Sequence, residues 1–175
     1  MSDMKGHKMG LDGYLANAGD PLADGTAGAV TRGIMRLFSR HDIAGIAEVP
    51  LPNGRRADVM AVDGKGQILI VEIKCSRQDL LGDTKWPDYF DYCDRYYWAV
   101  PAGFDLKLFD SENLWPSRTG LICADQYDAE IIRPAPTQPL ATARRKAEIL
   151  RFARRSSRRL MAMLDPGYIS DNSGI

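Results

Sequence analysis

An acidic residue and a lysine at the end of an apolar run are the side chains whose types and spacing could do chemistry. Glu72 and Lys74 lie two positions apart, directly after the run from Ile68 to Val71. Because side chains alternate along a strand, a strand over residues 67–74 places both charges on one face. Buried charges need a partner, water or a bound ion. The spacing alone is weak evidence, because about half an occurrence of Glu-x-Lys is expected by accident in a chain of this length.

Asp58 joins this pair if the two neighbouring β-rich runs form a hairpin. Runs 57–62 and 67–74 are separated by glycines that tolerate the positive φ of hairpin turns. A three-residue loop over 64–66 pairs residue 63 with 67 and sets Asp58 opposite Glu72, on the same face. A four-residue loop would send the two carboxylates to opposite faces. We predict the three-residue loop, or an equivalent bulge.

Two carboxylates and an ammonium on one sheet face suit metal-assisted phosphodiester hydrolysis. Asp58 and Glu72 would hold Mg²⁺ or Mn²⁺, with the carbonyl of Ile73 as a further ligand and Glu48, on the preceding strand, as an outer one. The metal would polarise the phosphate and lower the pKa of a bound water. Lys74 would position that water or stabilise charge on the phosphoryl oxygens. On these residues alone, a structural salt bridge is as well supported as a nuclease site.

The elements that must position these residues follow from periodicity and turn chemistry, and they predict an α/β chain. A helix is expected over 26–40, and Ser76 is expected to cap a short helix rather than act as a nucleophile. A second short helix is expected around 88–93, and a stiff proline-rich connector over 134–139. The predicted strands are 46–51, 57–62, 67–74, 96–100, 120–124 and 130–133.

The chain divides into a loosely ordered arm over 1–24, a core over 25–139, a basic helix over 140–164 packed on the core, and a tail over 165–175. We expect the helix to face the core with a seam of small and apolar residues and to leave its arginines outside. The seam consists of Ala143, Ala147, Leu150, Ala153, Ser157, Leu160 and Leu164.

Positive charge is concentrated in that last helix, although the chain as a whole has 23 basic and 23 acidic side chains. A basic helix could lie along DNA phosphates, or it could be a solvated face that pairs with an acidic body. Arg55 and Arg56 lie at the mouth of the proposed site and suit phosphate capture, with turn-flanking surface charge as the alternative. The candidate DNA contacts are Arg55, Arg56, Arg77, Lys85, Arg154, Arg155 and Arg158. Aromatic residues beside Lys85 could stack on bases, but core packing is favoured for Trp86 and Tyr92.

Composition limits the remaining classes of protein. The apolar runs are far shorter than the ~18 residues that span a bilayer, and no charged-then-apolar leader opens the chain. We therefore expect a soluble, cytoplasmic and nucleoid-associated protein with no membrane partner, as a monomer or a homodimer. Cys75, Cys93 and Cys123 are widely spaced, so they indicate free thiols rather than a disulfide framework or a zinc site.

Asp58 followed by Glu72-Ile73-Lys74 resembles the PD-(D/E)XK motif of the restriction-endonuclease-like superfamily, whose core is a mixed sheet between helices. Over about residues 25–164, longer motifs resemble bacterial MmcB-related DNA repair proteins. These motifs are Gly54-Arg55-Arg56-Ala57-Asp58, Glu72-Ile73-Lys74-Cys75-Ser76-Arg77, Lys85-Trp86-Pro87-Asp88-Tyr89, Cys93-Asp94-Arg95, Ala99-Val100-Pro101, Gly120-Leu121-Ile122 and Ala124-Asp125.

The resemblance implies a role in DNA damage repair, with damaged or branched DNA as the partner and Asp58, Glu72 and Lys74 at the catalytic positions. Superfamily nucleases often carry an acid on the first core helix, whereas residues 26–40 contain none. Either Glu48 substitutes for it, or the site binds metal more weakly than an efficient nuclease does. The leading expectation is a metal-dependent deoxyribonuclease. The alternatives are a catalytically silent DNA-binding or scaffolding protein of the same fold, and cleavage of RNA or small phosphoesters.

Overall fold

A mixed sheet of six strands lies at the centre of this chain in the computed structural model, which describes residues 25–165 and 167. The predicted arm over 1–24 and most of the predicted tail lie outside the described residues. The elements are α1 (Ala27–Arg40), β1 (Ile43–Pro50), β2 (Arg56–Asp63), β3 (Ile68–Ile73), α2 (Arg77–Gly82), β4 (Arg95–Pro101), β5 (Thr119–Ala124), β6 (Ala129–Arg133) and α3 (Thr142–Leu164). Short 3₁₀ helices cover Trp86–Tyr92, Leu106–Asp110 and Glu112–Leu114.

The strands follow chain order across the sheet, from β1 at one edge to β6 at the other. β3 is parallel to β4 and β4 to β5, whereas the β1–β2, β2–β3 and β5–β6 pairs are antiparallel. Every residue of β3 is buried, as its unbroken apolar run predicts. The α/β class and the mixed sheet flanked by helices are confirmed, and the closer assignment to a restriction-endonuclease-like core stays a prediction.

Helix α1 covers one face of the sheet. Thr26 caps it by accepting a 3.1 Å hydrogen bond from the backbone N–H of Ala29, and the helix packs against β1, β3, β4, β5 and β6. A Cβ at Gly33 would collide with the carbonyl oxygen of Asp125, so the β5–β6 turn reaches α1 only because this residue is glycine. The predicted helix is confirmed within one residue. β1 begins three residues before its predicted start, because the ladder with β2 continues to Ile43, which lies opposite Asp63.

Helix α3 lies on the opposite side of the sheet, and the face predicted to contact the body is wrong. Leu150 and Leu160 are 52% and 57% exposed, and Ala143, Ala147, Ala153, Ser157 and Leu164 are exposed as well. The side chains of α3 with partners in the body are Arg144, Arg145, Ile149, Phe152, Arg155 and Arg159. The reason is that guanidinium groups form hydrogen bonds with the body that a seam of alanines cannot form.

The edge of β1 is the place where two of these arginines act. The carbonyl of Glu48 accepts hydrogen bonds from Arg155 and Arg159, each 3.0 Å long, and Arg159 also donates to the carbonyl of Ala47. The φ of Glu48 is +51°, in the left-handed region, which turns its carbonyl out of the ordinary ladder. Guanidinium groups therefore cover this part of the sheet edge.

Asp94 fixes the other end of α3. Its fully buried carboxylate accepts hydrogen bonds from the N–H of Ile68 at 2.8 Å and of Leu140 at 2.9 Å, and it pairs with Arg145 at 2.5 Å. Burial opposes ionisation, but Arg145 and the two N–H groups outweigh it and lower the pKa of Asp94. One carboxylate thus joins the start of β3, the proline-rich connector and α3. No helix of the described part of the chain is long and apolar enough to cross a membrane.

Candidate active site at the end of strand β3

The β2–β3 hairpin has the register predicted from its turn. Val59 lies opposite Val71, and the N–H of Asp63 donates to the carbonyl of Gln67 at 3.1 Å. The three-residue loop is therefore confirmed, and the same register, continued by one residue, sets Asp58 opposite Glu72.

The two carboxylates take over the hydrogen bonding between the strands where the regular ladder ends. The N–H of Asp58 donates to Oε1 of Glu72 at 3.2 Å, and the N–H of Ile73 donates to Oδ2 of Asp58 at 2.8 Å. These bonds fix both side chains next to each other at the end of β3. The structure therefore brings together the two acids that the sequence predicts as metal ligands.

Burial makes this pair of acids electrostatically unfavourable. Glu72 is 5% exposed, and burial together with the charge of Asp58 raises the pKa of Glu72 to about 8. Burial also raises the pKa of Asp58, against the opposing effects of the Ile73 N–H and the charge of Lys74. At neutral pH the pair therefore holds a proton that a bound cation would displace.

Lys74 is buried beside the pair, but its closest partners are acids that the sequence analysis did not identify. Its Nζ lies 2.8 Å from Oδ2 of Asp83 and 3.7 Å from Oδ1 of Asp79. Burial alone would lower the pKa of Lys74, but the hydrogen bond to Asp83 and the charges of Asp83, Asp79 and Glu72 raise it. The available signal was the presence of two acids shortly after the motif, with Asp79 on the predicted short helix and Asp83 directly after its end. The predicted Ser76 cap is confirmed, because its hydroxyl accepts from the N–H of Asp79 at 3.1 Å.

Glu48, the predicted outer ligand, lies on the bend of β1 described above. Its carboxylate is 62% exposed and lies 3.6 Å from Nη2 of Arg56. Across the described residues, no three acidic, cysteine or histidine side chains are grouped so that they could hold a metal ion. A metal at the Asp58–Glu72 pair would therefore depend on backbone oxygen and water for its remaining ligands.

The basic residues predicted to contact DNA near this site differ in how strongly they are engaged. Arg55 forms two bonds to Oδ2 of Asp88, at 2.8 and 3.1 Å. Arg56 is 60% exposed, and Arg77 and Lys85 are also exposed. Arg55 is thus held by Asp88 and Arg56 lies near Glu48, whereas Arg77 and Lys85 point positive charge at solvent around the site.

The arginines of α3 line a groove at the end of β1, together with Pro50, and this open cavity has a volume of about 710 Å³. Arg154 and Arg158 are exposed, while Arg155 is half-buried by its bond to Glu48. Burial, followed by the charge of Arg159, lowers the pKa of Arg155. The three predicted α3 contacts are therefore brought together in one groove, with one of them partly engaged by the protein itself.

The aromatic residues beside Lys85 belong to the core. Trp86 is 4% exposed, and Tyr89 and Tyr92 are each 6% exposed. The hydroxyl of Tyr89 donates to the carbonyl of Arg56 at 2.9 Å, directly behind the carboxylate pair. Core packing, the favoured interpretation of Trp86 and Tyr92, is confirmed.

Comparison with known proteins shows which family this chain resembles. Residues 17–167 match the family described as DNA repair protein MmcB-like. No match was found among curated proteins. A similar solved structure is the SPO1766 protein of unknown function from Silicibacter pomeroyi, at 42% identity and a TM-score of 0.72 over 84% of this chain and 94% of that chain. The family supports a role in DNA repair. The chain belongs to the MmcB-like family of DNA repair proteins.

Proposed function

We propose that the protein hydrolyses phosphodiester bonds of DNA in a metal-dependent reaction at Asp58, Glu72 and Lys74. The observation that carries this proposal is the pair of opposed, buried carboxylates at the end of β3, joined by the 3.2 Å bond from the Asp58 N–H to Glu72, with buried Lys74 next along the chain. Buried acids with raised pKa values are frequent at functional sites.

The donor set fits Mg²⁺ or Mn²⁺. Both ions prefer oxygen ligands, which the carboxylates of Asp58 and Glu72 and the carbonyl of Ile73 would supply. When bound, the ion supplies Lewis-acid activation of the phosphate and lowers the pKa of a coordinated water. Glu48 would have to leave Arg56 in order to act as an outer ligand.

The protein's own groups would orient the substrate and stabilise its charge. Lys74 is a buried ammonium held by Asp83, and it would stabilise negative charge on the phosphoryl oxygens. Arg56, Arg77 and Lys85 would bind phosphates flanking the reacting one, and Arg55 would do so on release from Asp88. The groove of α3, with Arg154, Arg155 and Arg158, would bind the backbone at a distance from the chemistry.

A second candidate function is DNA binding without hydrolysis. It is favoured by the lack of an acidic residue on α1 and by the use of both carboxylates in strand-to-strand hydrogen bonds. In that case the acid pair is a structural remnant, and the arginine groove carries the function.

The two functions are separated by cleavage assays on supercoiled, nicked and single-stranded DNA, with an RNA strand included, in Mg²⁺ or Mn²⁺. We expect Asp58→Asn, Glu72→Gln and Lys74→Ala each to lose cleavage by a factor of about 10² or more. The matched control is Asp110→Asn, because this exposed acid pairs with Arg133 away from the site. Cleavage that persists in the triple variant would contradict the proposed site.

A lack of cleavage by the wild-type protein would favour the second function if salt-sensitive DNA binding is present. That binding should survive the three substitutions in the acid pair and Lys74, and it should fall when Arg154 and Arg158 are both replaced by alanine.

A further inference from the structure

A cavity of about 480 Å³ is lined in part by Asp83, the acid that pairs with Lys74. Its volume is within the range of about 300–1,000 Å³ typical of ligand pockets. Six of the residues that line it have side chains suited to contacting a ligand or closing the cavity: Leu80, Asp83, Trp86, Ser111, Asn113 and Trp115.

The walls of this cavity combine flat aromatic surface with a few polar groups. Trp86 and Trp115 lie with ring centroids 4.8 Å apart and planes at 70° to each other. Leu80 closes the cavity from the side of α2, and the exposed side chains of Ser111 and Asn113 lie at its rim. An apolar pocket with a small number of polar groups suits a flat, mainly aromatic ligand that also forms hydrogen bonds.

The position of Trp115 is fixed by its surroundings. Its φ is +50°, a left-handed conformation that is rare for a bulky residue. The guanidinium of Arg118 lies 4.6 Å from the Trp115 ring centroid and holds the ring from a second direction. The aromatic wall is therefore a rigid surface, and binding against it requires little ordering of the side chain.

The cavity communicates with the candidate active site through one side chain. Asp83 lines the cavity, and its Oδ2 lies 2.8 Å from Nζ of Lys74. Its other oxygen, Oδ1, accepts from the N–H of Lys85 at 3.0 Å, so both carboxylate oxygens are held in place by hydrogen bonds. A ligand with a phosphate beside Lys74 and a flat ring in the cavity would contact both sides of this carboxylate.

We propose that this cavity binds one unpaired nucleobase of the DNA strand whose phosphate lies at Lys74. The inference rests on the proposed function in that it takes a nucleic-acid strand as the ligand. The base packs against the partly exposed ring of Trp115, which buried Trp86 supports from behind, and the Asn113 amide and Ser111 hydroxyl bond to its edge. A base must leave its stack in order to enter, so single-stranded, mismatched or damaged DNA is preferred to an intact duplex.

The experiment measures binding in EDTA, so that cleavage plays no part. The probes are a fluorescently labelled short oligothymidine and an all-abasic strand of the same length and charge, titrated with the full-length protein at one salt concentration. We expect the abasic strand to bind more weakly by a factor of about ten or more, because it retains every phosphate contact and loses base stacking.

Two variants fill the cavity, Ser111→Leu and Asn113→Leu, and Ser39→Leu on α1 is the matched control. Ser111 and Ser39 are both exposed, and neither side chain has a hydrogen-bond partner within the described part of the chain. We expect the cavity variants to bind both strands with similar affinity and the control to discriminate like the wild type, at unchanged melting temperatures. Equal binding of the two strands by the wild type overturns the inference, as does full discrimination in both folded cavity variants.

Failure of the proposed nuclease activity is seen in a different measurement. If the protein discriminates between the two strands in EDTA but cleaves DNA in neither metal, the base pocket is supported and the proposed hydrolysis is contradicted. If the protein cleaves DNA but does not discriminate between the two strands, the proposed hydrolysis is supported and the base pocket is contradicted.

Discussion

Strand β3 has buried carboxylates at both of its ends, and the protein treats them in opposite ways. At the start of the strand, Asp94 accepts two backbone N–H groups and pairs with Arg145, and its pKa is lowered. At the end, Glu72 and Asp58 face each other, and burial raises both pKa values. Asp94 is thus stabilised as an anion, whereas the Glu72–Asp58 pair is not.

The difference teaches how to separate a structural acid from a functional one at the two ends of one strand. A buried anion that is fully hydrogen-bonded and paired has no capacity left for a ligand. Two acids that destabilise each other as anions gain free energy when a cation arrives. Substitution, pH and metal binding each probe this contrast.

The largest effect is expected for Asp94→Ala, which should lower the free energy of unfolding by about 3–5 kcal/mol. The change removes the partner of Arg145 and leaves the N–H groups of Ile68 and Leu140 without an acceptor. Urea unfolding measures it, with Asp110→Ala as the control, because that acid is 75% exposed and its pair is worth less than about 1 kcal/mol. A loss no larger than in the control would show that Asp94 is not the structural acid.

The second prediction concerns pH. The folded pKa of Glu72, about 8, lies above its ordinary value of 4.5, so the folded state retains a proton that the unfolded state has released. The free energy of unfolding should therefore fall as pH rises from 4.5 to about 8 and level off above that. Glu72→Gln should remove this slope, a relative change of about 2 kcal/mol or more, as followed by urea unfolding at a series of pH values.

Asp94 should change the free energy of unfolding in the opposite direction as the pH rises. Its folded pKa is lowered, so its contribution to stability is present above its ordinary pKa and is lost as the pH falls through the folded value. Parallel profiles for wild type and Glu72→Gln between pH 4.5 and 8 would contradict the assignment of the slope to Glu72.

The third prediction links metal and proton. Binding of Mg²⁺ or Mn²⁺ at the pair should release close to one proton near neutral pH, because the metal needs Glu72 as a carboxylate. Calorimetry in buffers of different ionisation enthalpy counts the protons. Glu72→Gln should weaken binding about tenfold or more and abolish the release, while Asp110→Asn should behave like the wild type.

The smallest expected effect concerns arginines of α3, some of which bond to the protein while others are exposed. Arg155 and Arg159 bond to the carbonyl of Glu48, whereas Arg154 and Arg158 are exposed. We expect the alanine pair at 155 and 159 to lose about 1 kcal/mol of stability. The alanine pair at 154 and 158 should instead lower the salt dependence of DNA binding by about two phosphate contacts, at nearly unchanged stability. Equal changes in stability and in salt dependence for the two alanine pairs would contradict the distinction between structural and DNA-binding arginines.

The acid pair could be predicted from the sequence because a turn of known length fixes the register of a hairpin. Asp58 faces Glu72 because the loop has three residues, whereas the four-residue loop that the sequence also allowed would have separated them. The partners of Lys74 were missed because Asp79 and Asp83 follow β3 in the chain. The register of the β2–β3 hairpin gives no information about the positions of residues beyond β3. The bend at Glu48 was also unpredictable, since it depends on guanidinium groups more than 100 residues further along the chain.

Helix α3 shows a second limit of sequence reasoning. Its periodicity indicated a face of small and apolar residues, yet the body contacts Arg145, Arg155 and Arg159 instead. Hydrophobic periodicity identifies an apolar contact. It does not reveal where backbone carbonyls and a buried carboxylate will accept hydrogen bonds from guanidinium groups. The helix was therefore predicted at the right place in the chain with the wrong face inward.

The covering of one sheet edge has a consequence for how copies of this chain could associate. Arg155 and Arg159 occupy carbonyls of β1, so an incoming strand would have to displace two guanidinium groups there. At the other edge, β6 pairs with β5 alone among the described strands, and its Ile131 and Ile132 are 38% and 43% exposed. Exposed edge strands are the sites at which sheets of separate molecules join. Strand pairing between copies of this chain would therefore run through β6 and would leave the arginine groove accessible.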